Sequence, residues 1–346
     1  MVPFAGYEMP IQYQGITAEH LAVRKNVGLF DLSHMGEFEI SGRDALAFIQ
    51  KMTTNDASEL KPGEIQYSCM CYDDGGMVDD LLVYRLDDKY MMVVNAANLD
   101  KDFAWLEEHL EGDVKLVNKS DDFGLLAVQG PNAQKVMEET SDYDFEALPY
   151  YHAAVVSFGK HEVLLSRTGY TGEDGFELYI PNEICDDLWD MIYTAGKKYD
   201  MQMIGLGARD SLRLEMKMSL YGNDIDKTTT PLEAGLSFIV KLEKGDFIGR
   251  DALMKQKEEK PPRKLVCLEL EEKSFPRKGY DLVSNGETVG QVTSGTFSPS
   301  LNKPIALGYL PRKISKAGNR VKVRIRDKLI PAAVVKQPFY KEGTHR

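Results

Sequence analysis

Ile65-Gln-Tyr-Ser-Cys-Met-Cys71-Tyr-Asp-Asp-Gly-Gly76-Met-Val-Asp79-Asp80-Leu-Leu-Val-Tyr84-Arg-Leu-Asp-Asp-Lys-Tyr90-Met-Met-Val-Val94-Asn95 consists of three apolar runs parted by two polar turns. The runs are rich in Val, Tyr and Met and too short for helices. Asp73-Asp-Gly-Gly76 and Asp87-Asp88 are turn chemistry, so the stretch predicts an antiparallel meander from Ile65, through 77–86, to 89–95. A helix over 99–110 follows, with Asn98 as the expected N-cap and Asp100 and Asp102 suited to the positive end of the helix dipole.

Working outward, 17–27 and 43–52 carry apolar residues at helical spacing, with an extended segment from Phe30 to Ile40 between them. Downstream the pattern predicts strands at 114–118 and 123–129, a helix opened by Gly130-Pro131, strands at 153–158, 161–167 and 176–180, and a helix over 182–195. Strands and helices intermix without strict βαβ alternation, which makes the fold class α+β and not a doubly wound parallel sheet. Dinucleotide and P-loop signatures are weak or missing: Gly205-Leu-Gly-Ala-Arg-Asp210 has Asp at the third glycine position, and no GxxxxGK[ST] occurs. The run Lys255-Gln-Lys-Glu-Glu-Lys260 meets Pro261-Pro262, which cannot continue a helix. Residues 1–254 are therefore expected to form an α+β region and 255–263 a linker. Regularly spaced short strands make 264–346 a small all-β barrel or sandwich.

The chain has 346 residues, 54 acidic against 42 basic, and a formal net charge of −12. The charge is divided: residues 260–346 hold 18 Lys and Arg against 7 Asp and Glu, whereas the rest is strongly acidic. Such asymmetry can steer a charged partner or simply draw two domains together. The basic segment alternates like a strand and lacks interleaved stacking aromatics, so no nucleic acid is expected. Four cysteines do not make a disulfide scaffold or a zinc ribbon. Reduced thiols and a cytoplasmic location follow as expectations, with Cys69 and Cys71 as core thiols. No run approaches the roughly 18 apolar residues of a membrane span, and no secretory start is visible.

Three constellations carry chemistry. In Gly75-Gly-Met-Val-Asp-Asp80, alternation forbids both carboxylates from facing solvent if one strand face is packed, so one of them is inward. An inward carboxylate needs donors or a task, the alternative being an acid that caps the turn. In Ser166-Arg-Thr-Gly-Tyr-Thr-Gly-Glu-Asp-Gly-Phe-Glu177-Leu, three glycines allow close backbone approach to a ligand. Tyr170 offers a flat face and Glu177 an acceptor for the N–H edge of a planar heterocycle such as a pterin or guanine, unless the segment is only a flexible loop with a surface Glu. In Gly205 to Glu215, Arg209 and Arg213 share one helix face, and Arg213 suits a structural ion pair better than Arg209 does. The six histidines lack HExxH or paired spacing, and Asp224-x-Asp226 lacks the remaining features of a calcium loop, so no metal is expected.

Taken together these segments resemble the aminomethyltransferase (T-protein) family of the glycine cleavage system. The matching stretches are Met1 to Pro10, Asp31-Leu-Ser-His-Met-Gly36, Thr54-Asn-Asp56, Gly75 to Asp80, Val94-Asn-Ala-Ala-Asn98, Gln129-Gly-Pro131, Ser166 to Leu178, Gly205 to Glu215, Gly290 to Pro299 and Pro338-Phe-Tyr340. They run in family order over nearly the whole chain. Position 7 is Tyr where Trp is usual, and Met218 stands near a position often occupied by Tyr in bacterial relatives.

The resemblance implies two interleaved α+β modules and a C-terminal β-barrel around a central folate channel. It implies transfer of the one-carbon unit from the aminomethyl group on the dihydrolipoyl arm of lipoylated H-protein to tetrahydrofolate, with 5,10-methylenetetrahydrofolate and ammonia as products. The lipoyl group comes from the partner, no metal takes part, and the expected state is a monomer in transient complex with H-protein. Residue by residue, Asp80 resembles the family's catalytic acid and Glu177 the acceptor for the pterin edge. Tyr67, Asn95, Tyr170 and Arg209 match folate-pocket positions, and Tyr340 matches a C-terminal folate contact. The nearest rival is a tetrahydrofolate-dependent demethylase of a small molecule on the same fold, and the rival of another class is a folate-binding module without turnover.

Overall fold

The computed structural model describes residues 1–345. The quoted meander forms as three antiparallel strands, Ile65–Cys71, Met77–Arg85 and Tyr90–Val94, and Gly36–Ser41 and Lys115–Asn118 complete a five-stranded sheet. A register shift falls between Met70 and Cys71, so Met70 pairs with Asp79 and Cys71 with Met77. This bulge immediately precedes the two carboxylates and resets which face each residue meets. Helices Ala45–Met52 and Leu99–Glu108 cover one face, burying Phe38, Ile49, Met52, Met92 and Leu106.

The second sheet has six strands in the order Ala153–Phe158, His161–Ser166, Gly175–Pro181, Phe123–Gln129, Gly28–Asp31 and Gln202–Met203. Its pairs are antiparallel except the last, where Gln202–Met203 runs parallel to Gly28–Asp31. Gly28–Asp31 joins this sheet before the chain enters the first one, which interleaves the two α+β modules in sequence. The segment from Phe30 to Ile40 is thus two strands belonging to different sheets, with a turn between them. A shared core of Phe30, Tyr84, Met91, Val93, Leu125 and Tyr179 packs between the modules.

Helix Arg250–Glu259 runs further than expected, so residues 255–259 are helical and the chain turns only at Lys260, where φ is 69°, and at the two prolines. The C-terminal strands close into a six-stranded antiparallel barrel, Arg263–Leu270, Lys303–Pro311, Glu287–Ser298, Asp281–Ser284, Arg320–Ile325 and Lys328–Val335. Closure removes the free edges that a short sheet would expose. Its interior is filled by Leu268, Leu282, Val292, Val323 and Val334.

Asn98 departs from its expected cap role. Its side chain makes no capping bond and instead donates from Nδ2 to Asp79 Oδ1 at 2.6 Å, because a buried carboxylate needs donors and the bond orients the amide toward it and away from the helix N–H groups. No helix among the described residues is long and apolar enough to cross a membrane.

Candidate active site

The two α+β modules, the helix Leu206–Glu215 and the loops after it enclose a cavity of about 400 Å³. Six of the seven residues singled out in the sequence line it: Tyr67, Asp80, Asn95, Tyr170, Glu177 and Arg209. The seventh, Tyr340, is not among the lining residues. Its ring lies over the Arg24 guanidinium at 4.1 Å and its N–H donates to the Glu215 carbonyl, while Gln337 and Pro338 supply the C-terminal contribution to the wall. Met218, which only the family resemblance marked, and Phe238, which nothing marked, also line the cavity, since a single apolar residue on an irregular segment has no periodicity to read.

Asp80 sits on the strand Met77–Arg85 with its carboxylate held from two sides. Tyr67 donates its hydroxyl to Oδ2 at 2.7 Å, and Asn95 donates from Nδ2 to Oδ1 at 2.9 Å. Tyr67 reaches because it pairs with Leu82, two residues from Asp80 along the same strand face. Burial and the neighbouring Asp80 keep the Tyr67 phenol protonated, so it serves as a donor. Burial, then the charge of Asp79, push the Asp80 carboxyl up to about 7, against the pull of those two donors. Both aspartates are inward, one on each face of the strand. Asp79 is fully buried and Asp80 faces the cavity.

Across the cavity, Glu177 occupies the strand Gly175–Pro181 opposite Ser166 and Ala127. The Thr168 hydroxyl donates to its Oε2, and burial raises its pKa despite that bond and the nearby Arg209. Oε1 is left for a ligand donor. Arg209 stacks over the Tyr170 ring at 4.8 Å, and Tyr170 is tethered through its hydroxyl to the Ser219 carbonyl. Among the described residues no hydrogen bond holds the Arg209 guanidinium, only stacking and longer-range charge. A buried guanidinium without a fixed acceptor is matched to a ligand carbonyl or carboxylate.

Arg213 behaves as a structural residue. Its guanidinium contacts Asp224 at 2.5 Å, Asp210 at 2.7 Å and Ser294 Oγ at 2.8 Å, which ties the helix to the barrel. Asp224 is thereby a counter-ion. The glycines of the 166–178 segment serve packing as well as access: a Cβ on Gly169 would stand 2.0 Å from Gln129 Oε1, and one on Gly175 would stand 2.3 Å from Gln129 Nε2. The Gln129 amide fills that space and bonds Thr168 O and Thr171 Oγ1, pinning the loop that presents Tyr170.

The sequence matches the GCVT N-terminal domain over residues 1–244 and the Glycine cleavage T-protein C-terminal barrel domain over residues 263–341. The chain belongs to the glycine cleavage T-protein family. Relatives of this T-protein chain include the aminomethyltransferase of Bacillus velezensis, 51% identical over 343 residues that span 98% of this chain and 94% of that one. The aminomethyltransferase of Bacillus subtilis is 49% identical over 343 residues, 98% of this chain and 95% of its own. The crystal structure of glycine cleavage system aminomethyltransferase T from Bartonella henselae superposes with a TM-score of 0.93 at 35% identity, covering 100% of this chain and 95% of that one. The likeness extends over both α+β modules and the barrel, so the enzyme class of the T-protein family, an aminomethyltransferase, is that of the whole chain.

Proposed function

We propose that the protein transfers the one-carbon unit of the aminomethyl group carried on the dihydrolipoyl arm of H-protein to tetrahydrofolate, giving 5,10-methylenetetrahydrofolate, ammonia and dihydrolipoyl H-protein. The observation that carries this reading is Asp80, a carboxyl gripped by Tyr67 and Asn95 inside a cavity whose opposite wall offers Glu177 and Arg209.

A reduced pterin presents ring N–H and NH₂ donors on one edge, and the open oxygen of Glu177 is a matching acceptor. Its benzoyl-glutamate end carries carbonyl and carboxylate oxygens, for which the Arg209 guanidinium is suited. Tetrahydrofolate supplies the nucleophilic nitrogen that accepts the one-carbon unit. Asp80 in its anionic form orients the donor amine, offsets positive charge as ammonia departs, and takes up the proton released from the attacking nitrogen. Tyr67 and Asn95 fix the direction in which that carboxylate points.

The test is to supply aminomethylated, lipoylated H-protein with tetrahydrofolate and follow ammonia and 5,10-methylenetetrahydrofolate together. Equal amounts of both are expected. Turnover of a small methylated amine with no reaction from H-protein would replace this reading with the demethylase one. Since Asp80 acts as the anion and its folded-state pKa is raised to about 7, activity is expected to rise with pH through that region and to fall below it. A pH–rate profile flat from pH 6 to 8 would contradict the assignment. Glu177→Gln retains the acceptor and the Thr168 contact but removes the charge. Because a hydrogen bond to a charged group is worth about 1–1.5 kcal/mol more than one to a neutral group, the Kd for tetrahydrofolate is expected to rise roughly fivefold to tenfold, read by titration calorimetry.

A further inference from the structure

Behind Asp80 lies a second carboxyl pair to which the chemistry above gives no task. Asp79 and Asp102 are both fully buried, Asp79 on the strand Met77–Arg85 and Asp102 in the first turn of the helix Leu99–Glu108. Asp79 is richly supplied with donors: Asn95 Nδ2 at 2.9 Å and Asn98 Nδ2 at 2.6 Å reach Oδ1, and the Asn95 backbone N–H reaches Oδ2 at 3.1 Å. Among the described residues, neither oxygen of Asp102 receives an N–H or O–H. Lys101 Nζ stands 3.4 Å from Asp102 Oδ1, but that ammonium donates to the Val78 carbonyl and lies over the Tyr221 ring at 4.3 Å.

Asp102 lies against Asp79, close enough for one carboxyl group to donate to the other. Two ionised carboxylates repel, so such a bond exists only when one of them carries a proton. Asp79 already accepts three donors, and Asp102 accepts none. The proton therefore belongs on Asp102, which leaves Asp79 as the anion.

The consequence reaches Asp80 through one amide. Asn95 Nδ2 serves Asp79 Oδ1, Asp80 Oδ1 and the Asp80 carbonyl oxygen, at 2.9, 2.9 and 3.0 Å. With acceptors on these sides, the amide must present its N–H groups there and its carbonyl oxygen away. We propose that Asp102 is a positioning residue for the reacting carboxyl: it carries a proton shared with Asp79, keeps Asp79 anionic, and through it holds the Asn95 amide with its donors turned to Asp80.

The inference rests on the assignment of Asp80 as the reacting group. Burial and the charge of Asp79 push Asp102 up to about 10, in keeping with a proton held through neutral pH. The groups facing the pair are Lys101, Tyr72 and Tyr221, and those facing Asp80 are Asp79, Tyr67, Tyr151 and Tyr170.

Two measurements on the full chain separate this proposal from a purely structural role and from failure of the functional reading. The first is an infrared difference spectrum at neutral pH, wild type minus Asp102→Asn. It is expected to show the carbonyl band of a protonated carboxyl that the variant lacks, and it requires neither folate nor H-protein. The absence of that band would overturn the shared proton. The second is the pH dependence of turnover. In Asp102→Ala, Asp79 loses its donor in a dry site and takes up a proton itself, so Asp80 no longer faces a negative charge. The acid limb of kcat is expected to move down by about one pH unit and kcat to fall about tenfold, with KM for tetrahydrofolate unchanged. Asp102→Asn, which donates an N–H to Asp79, is expected to restore both. If Asp102→Ala lowers only the thermal midpoint and leaves kcat and the limb in place, Asp102 is structural and the proposal fails. If wild type itself does not turn over aminomethylated H-protein, the functional reading fails and the infrared difference alone decides the shared proton.

Discussion

Asp80→Asn is expected to fold, to bind tetrahydrofolate within a few-fold of wild type, and to lose about 10²–10⁴-fold in turnover, the range a positioned proton-transfer group contributes. Asparagine matches the carboxylate in shape. Its Oδ1 accepts from Asn95, and its Nδ2 donates to the Tyr67 hydroxyl, which turns from donor to acceptor, so the geometry around both partners survives. What disappears is the anion. Removing it also relieves the burial of a carboxyl beside Asp79, so the thermal midpoint is expected to equal or exceed that of wild type. Loss of rate with unimpaired stability separates a catalytic group from a structural one. Turnover near the wild-type value in Asp80→Asn would remove Asp80 from the chemistry.

The largest loss of stability is expected from Arg213→Met. The Asp224 carboxylate is fully buried, and Arg213 NH1 meets its Oδ2 at 2.5 Å while NH2 bonds Ser294 on a barrel strand. Taking away one member of a buried pair leaves the other charge uncompensated, at a cost of about 3–5 kcal/mol. Thr293 and the Leu220 N–H still bond Asp224, but neither carries a positive charge. Because the same guanidinium joins the helix Leu206–Glu215 to the barrel, denaturant unfolding is expected to shift to lower midpoint and to become less cooperative between the two parts. An unchanged midpoint would mean that Asp224 is neutralised some other way.

Much of the fold could be read from local pattern. The meander from Ile65, the helix after Asn98 and the existence of six barrel strands all follow from apolar periodicity interrupted by turn residues, although which barrel strands pair, such as Cys267 with Val335, does not. Pairings over long separations left no such trace. Gly28–Asp31 lies in a different sheet from Gly36–Ser41, although a short turn separates them, and nothing in the apolar content of Phe30 to Ile40 marks the change. At the site, Asp80, Glu177 and Arg209 stood out as charged residues in apolar or glycine-rich surroundings. Tyr67 and Asn95 came only from family resemblance, since a tyrosine in a strand and an asparagine after one are ordinary. Asn98 and Asp102 read as helix-start residues by their positions, and only the tertiary structure shows them turned inward to Asp79 instead. Tyr340 was placed by its motif, whereas its ring is drawn off to Arg24 and the preceding Gln337-Pro338 reaches the cavity.

The strand Gly28–Asp31 also sets the order in which the molecule can be assembled as it leaves the ribosome. It emerges early, yet one neighbour, Phe123–Gln129, comes after the whole first sheet, and the other, Gln202–Met203, comes later still. Until then an apolar segment containing Leu29 and Phe30 has no lasting cover, a state in which nascent chains depend on holding by chaperones. The cavity wall bearing Glu177 cannot be set against the wall bearing Asp80 before the strands His161–Ser166 and Gly175–Pro181 have emerged and paired with Phe123–Gln129. A half-synthesised chain therefore holds the carboxyl in water, as an ordinary exposed acid, and the site's chemistry begins only when the second sheet packs on the first through the shared core of Phe30, Tyr84 and Tyr179.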